Sequence, residues 1–336
     1  MLPATMACFR LQDVTISMRR FFTLSLIFLI SGFACKAAAQ SFAIVSGNRF
    51  VDQSGRTITV DRPFTRIISL YAAHTENLFK LGLDEEIVGV SRSENYPVRA
   101  MTKKAFSYHD GPEKFLAARP DAVLIRPMID RGYPDLLRQL ENSGVTVVSI
   151  QPSSIDEMFE YWQILGILTG RQAAAERMKA DFRQGVDRAI GLTRTIDPKK
   201  RVYFEAIHDK MKTFTPTSMA IFALETAGGI NIAADASQVR RTNIAYYGKE
   251  RILSKGAQID VYLAQTGSMN RPTVASIIGE PGYQVIKAVR TRQVFIIEEA
   301  IVSRPTMRLL AGIFEIGNRL YPDVFNQTVR SALKIE

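Results

Sequence analysis

The 336-residue chain holds three histidines, His74, His109 and His208, and each falls in a loop at or beside the end of an apolar run. Tyr71, Tyr96 and Tyr108 share that placement, as do Arg92, Arg126, Arg240, Arg241, Arg271 and Arg304. Imidazole and phenolate complete the coordination of a ferric ion whose chelator leaves it unsaturated, or of haem iron. Guanidinium forks pair with carboxylates, catecholates and propionates, and this many at strand ends predicts a positively charged site. The candidate ligand-binding set is therefore Tyr71, His74, Arg92, Tyr108, His109, Arg126, His208, Arg241 and Arg304. Arg304, just beyond the last strand and followed by Pro305, is the best single candidate. Two plainer readings stand beside this one: a lone loop histidine is more often structural, and Arg240, Arg241 and Arg271 read equally well as solvated. A metal held by His74, His109 and His208 is a further alternative, although their spacing matches no contiguous zinc signature. No nucleophile elbow or Gly-rich phosphate loop occurs. An enzyme reading thus reduces to a hydrolase built on those three histidines.

Elements must bring these residues together, and the pattern predicts strands alternating with helices. Residues 66–71 read as a buried strand, with Thr75 capping a helix over 76–81 that Gly82 closes. Strands over 86–90, 121–125 and 145–150 follow, with helices over 113–118 and 133–143 and a capping box at Ser154 and Glu157. A hairpin around Ser54-Gly55 precedes them. The order then recurs: strands over 201–207, 260–264 and 294–297, with helices over 218–226, 247–253 and 306–320. Alternation of this kind implies parallel sheets, with ligands beyond the carboxyl ends of their strands.

Between the two series lies one long amphipathic stretch, 171–196. Ala175, Met178, Phe182, Val186, Ala189 and Thr193 recur at helical spacing, between Gly170 and Pro198. At 1.5 Å per residue it spans roughly 35–40 Å. It reads as a strut between two α/β lobes, the alternative being a helix laid on one continuous sheet. The predicted organisation is residues 1–39 as a signal peptide with an N-terminal extension, 40–170 as an N-terminal lobe, 171–196 as the linking helix and 197–336 as a C-terminal lobe.

The signal peptide reading rests on Arg19 and Arg20, the apolar run 21–33 and the small residues around Ala37 and Ala39. Cys35 offers lipid attachment as a second route to the periplasm. Cys8 is the only other cysteine, so a chain cut after Ala39 carries no thiol. Its fold must then rest on a hydrophobic core, which about 300 residues suffice to build. Beyond residue 39 the chain has 39 Lys and Arg against 32 Asp and Glu, scattered without the basic, aromatic-interleaved face that binds nucleic acid.

The stretches RTITVDRPFTRIISLYAAHTENLFKLGLDEEIVGVSRSENYP and GPEKFLAARPDAVLI resemble the iron–siderophore, haem and cobalamin class (class III) of substrate-binding proteins of ABC importers. The likeness runs in order over roughly residues 50–322. It implies two α/β lobes joined by a rigid helix, with the ligand between them and little closure on binding. It also implies a periplasmic receptor, monomeric and not an enzyme, that captures a ferric siderophore or haem for a permease dimer and its ATPase. No intrinsic cofactor is implied, since the iron belongs to the cargo. Cobalamin and a bare metal or oxyanion are the alternatives on the same scaffold. Cobalamin receptors often stack aromatic residues on their ligand, whereas the chain's one tryptophan, Trp162, falls in a helix away from the strand ends. In that class one glutamate on each lobe's tip meets arginine pockets of the permease, and the matching positions are Glu113 and Glu250.

Overall fold

The computed structural model describes residues 41–239, 242–268 and 270–332. The segment expected to be a signal peptide, both cysteines and Arg240 and Arg241 lie outside the described residues. Strands Ala43–Ser46, Arg49–Val51 and Thr57–Thr59 form a small antiparallel sheet. Asp52 stitches its turn to the body, accepting the backbone N–H groups of Ser54, Arg56 and Ser149 at 2.9 Å each.

The first large sheet has five strands in the order Ala105–Phe106, Ile87–Ser91, Ile67–Ser69, Ala122–Ile125 and Thr146–Ser149, every pair parallel. Side chains alternate between faces along a strand. Ile67, Leu124 and Val148 enter one core cluster, while Ile68, Val123 and Val147 enter another. Both faces are therefore covered, which is why these strands read as continuous apolar runs.

The second large sheet is not a copy of the first. Arg201–Ile207, Val261–Thr266 and Val294–Glu298 run parallel, and Ile230–Asn231 adds to them. Lys212–Phe214, Ile244–Tyr246 and Ser237–Gln238 then extend the sheet antiparallel. The expected recurrence of one pattern in both halves is thus corrected by this antiparallel extension between Arg201–Ile207 and Val261–Thr266.

Gly170, at φ +68°, ends helix Ile155–Thr169, and the linking helix Gln172–Thr193 begins two residues later. Ala175, Met178, Phe182, Gly185, Ala189 and Thr193 form its buried stripe. Phe182 meets Trp162 edge-on at 5.5 Å and stacks on Phe222 at 6.3 Å, so one ring touches helices from both halves. Residues of both sheets and of the linking helix belong to a single core cluster. The result is a two-lobed α/β molecule whose halves share packing through the helix that joins them. No helix among the described residues is long and apolar enough to cross a membrane.

Candidate ligand cleft

A cleft of about 700 Å³ lies where the carboxyl ends of both sheets face each other. Tyr71 and Ala72 follow strand Ile67–Ser69, Ser93 and Asn95 follow Ile87–Ser91, and Arg126 follows Ala122–Ile125. From the second lobe come Thr266, Ser268 and Arg271 after Val261–Thr266, then Glu298, Glu299 and Arg304 after the last strand. Parallel strands end where their helices begin, so unpaired backbone and loop side chains converge there.

Arg126 is the most telling of these groups. Its guanidinium lies 4.6 Å from the Tyr71 ring centre, a cation–π contact that holds it against the wall. Its Nε is buried yet makes no hydrogen bond within the protein. Burial pushes the Tyr71 phenol up to about 12, against the pull of Arg126 and Arg304, so the ring carries a proton at neutral pH. Arg304 is engaged through one nitrogen, Nη1, which donates to Glu76 at 2.7 Å and to Asn95 at 2.9 Å. Three arginines against two glutamates give the lining a mixed character, less positive than the arginine count alone predicted. Uncharged polar side chains such as Ser93 and Asn95 and small residues such as Ala72, Gly267 and Ala300 make up much of the rest.

Of the candidate set, Tyr71, Arg126 and Arg304 line the cleft and Arg241 lies outside the described residues. The others stand elsewhere, and the reasons are local. Helix Ala72–Lys80 starts at Ala72 rather than after Thr75, so His74 sits in its first turn and is fully buried. Ile125 O can only accept, so His74 Nε2–H donates to it at 3.2 Å and Nδ1 accepts from the Tyr161 hydroxyl at 2.7 Å. Burial lowers its pKa to about 3. His208 is spoken for by Glu205, 3.0 Å from its Nδ1, and that bond holds its pKa above the usual imidazole value. Arg92 turns to Asp110 at 3.0 Å. His109 packs at 4.5 Å on Tyr108, and the Tyr133 hydroxyl lies 3.1 Å from its Nδ1. Tyr108 and His109 are not among the cleft-lining residues. Among the described residues no group of three or more His, Cys, Asp or Glu side chains could hold a metal ion, so the three-histidine site is set aside.

Sequence reasoning missed Glu298 and Glu299. Glu298 ends the last strand and Glu299 directly follows it, so the strand-end rule that picked Arg126 reaches them too; attention to positive charge passed over them. Ser93 and Asn95, in the loop after Ile87–Ser91, carry no charge to single them out.

A cleft between two α/β lobes, lined by strand ends and pinned by one helix, defines a solute receptor. The chain belongs to the periplasmic binding protein family, whose model matches residues 67–300. Within it the chain falls in the class that serves ABC importers. It is 24% identical over 283 residues to the ABC transporter substrate-binding lipoprotein YvrC of Bacillus subtilis, covering 82% of this chain and 86% of that one. It is 25% identical over 260 residues to a vitamin B12-binding protein of Vibrio cholerae, covering 76% and 88%. A crystal structure of a possible iron-binding (periplasmic solute-binding) protein of Staphylococcus epidermidis superposes with a TM-score of 0.68 at 26% identity, covering 77% of this chain and all of the other.

Proposed function

We propose that this receptor is exported and captures an anionic ferric chelate whose metal is already fully coordinated, a siderophore rather than haem. The observation that carries this reading is Arg126, whose guanidinium lines the cleft and is held against the Tyr71 ring. A guanidinium placed in this way pairs well with a catecholate or carboxylate oxygen of a ligand. No histidine lines the cleft, so a haem iron finds no imidazole in its wall. The iron is cargo, and the cleft binds and releases it without chemistry.

Delivery is assigned to Glu113 and Glu250, both exposed. Each lies in the first turn of a short helix, Pro112–Leu116 and Lys249–Ser254, two residues after a glycine. A Cβ on Gly111 would come within 2.6 Å of the Glu113 carboxylate, so the bare backbone leaves that carboxylate its position. Paired charges of this kind orient docking on a permease more than they add affinity. Residues 1–39 supply the export signal in this account, and the receptor works as a monomer.

A corrinoid is the second reading, favoured by the likeness to the Vibrio cholerae vitamin B12-binding protein. A thermal-shift screen against a ferric tricatecholate, haem, cyanocobalamin and divalent metals separates them. The true ligand at a hundredfold excess over its Kd stabilises the protein by about 2.7 kcal/mol. A shift with the tricatecholate supports the proposal; a shift with cyanocobalamin alone replaces it with the second reading.

A further inference from the structure

Helix Ala72–Lys80 buries four polar residues in a row, His74, Thr75, Glu76 and Asn77. His74 and Thr75 are satisfied within their own lobe, the latter donating to Ser69 Oγ at 2.8 Å. The other two reach across. Asn77 donates to the Pro305 carbonyl at 2.9 Å, which Trp162 Nε1 also approaches at 3.3 Å. Glu76 Oε1 accepts from Arg304 at 2.7 Å and lies 3.5 Å from an Arg308 nitrogen, while its Oε2 is buried without a partner. Arg304 is also a cleft residue.

We propose that Glu76 is a positioning residue for ligand capture: it aims the Arg304 guanidinium across the lobe junction so that its free edge faces the cleft. The inference deepens the ferric-chelate reading and rests on it for the ligand's charge. Arginine side chains lose much rotamer freedom when ordered, so one held beforehand binds an anion at lower cost. Asn95 accepts from the same Arg304 nitrogen that Glu76 holds, so both acceptors anchor one arm of the fork. Glu76 itself is not among the cleft-lining residues, so it acts only through the arginine.

The test uses the purified receptor and Glu76→Gln, which keeps the side chain's shape and removes its charge. Phenylglyoxal modification of Arg304, read by peptide mass spectrometry against the exposed Arg271 as internal standard, needs no ligand. A carboxylate-held guanidinium reacts slowly, so Arg304 in the variant is expected to react about fivefold faster or more. Affinity for a ferric tricatecholate is expected to fall about tenfold, with that for a neutral ferric trihydroxamate within about twofold of wild type. An unchanged Arg304 reactivity, or an equal loss for both chelates, overturns the positioning role. If wild type binds neither chelate, the ferric-chelate reading fails, and Arg304 reactivity alone decides the role of Glu76. Should Glu76→Gln not fold, Glu76→Gln with Arg308→Gln restores the charge balance and is measured in the same way.

Discussion

Two buried imidazoles in this chain titrate in opposite directions. His74 is enclosed without a charged partner, and its pKa falls to about 3. In the unfolded chain it titrates near 6.5, so between those values the unfolded state holds the extra proton and stability rises with pH. Going from pH 6.5 to pH 5, wild type should lose about 2 kcal/mol more than His74→Gln does. Denaturant titrations at the two pH values measure this, and equal losses would contradict it. His208 has the reverse sign, because Glu205 raises its pKa. Its contribution is complete below about 6.5 and fades as pH climbs through the folded value. Residue types alone put both histidines at a ligand; what the types do not carry is the direction of each side chain. One turn of helix decides that for His74, and a single carboxylate three residues earlier decides it for His208.

At the scale of elements, close approach is set by glycine. A Cβ on Gly312, in helix Leu309–Leu320, would lie 2.1 Å from the Ile301 carbonyl of helix Glu299–Val302. That carbonyl belongs to backbone next to the Arg304 segment and has no rotamer to move. Gly312→Ala should therefore cost about 2–3 kcal/mol in chemical denaturation, and a cost below about 0.5 kcal/mol would show that the helices part freely. Most elements of the parallel layers were legible because burial on both faces leaves a continuous apolar run, as in Ala122–Ile125. The linking helix was legible from five of its stripe residues, with Gly185 taking the place expected for Val186. The antiparallel extension was not. Ser237–Gln238 and Lys212–Phe214 are too short to show a period, and their pairing is dictated by distant residues.

Across the whole molecule, strand-end position identified Tyr71, Arg126 and Arg304 as cleft residues, since topology alone sends those loops to one edge. It did not separate them from Arg92 and His109, whose neighbours turn them aside. Capture and delivery should also separate. Replacing Glu113 and Glu250 together by alanine is expected to abolish chelate uptake in cells while leaving the purified receptor's affinity within about twofold. A parallel loss of binding would remove these glutamates from docking.

The central claim is that the cleft grips an anionic ferric chelate through the guanidinium of Arg126. Calorimetric titration of a ferric tricatecholate into wild type and Arg126→Ala tests it most directly. One-to-one binding with a Kd of roughly 1 µM or tighter, weakened about tenfold or more in the variant, is the expected result. Undetectable binding to wild type, or equal affinity for both proteins, would contradict it.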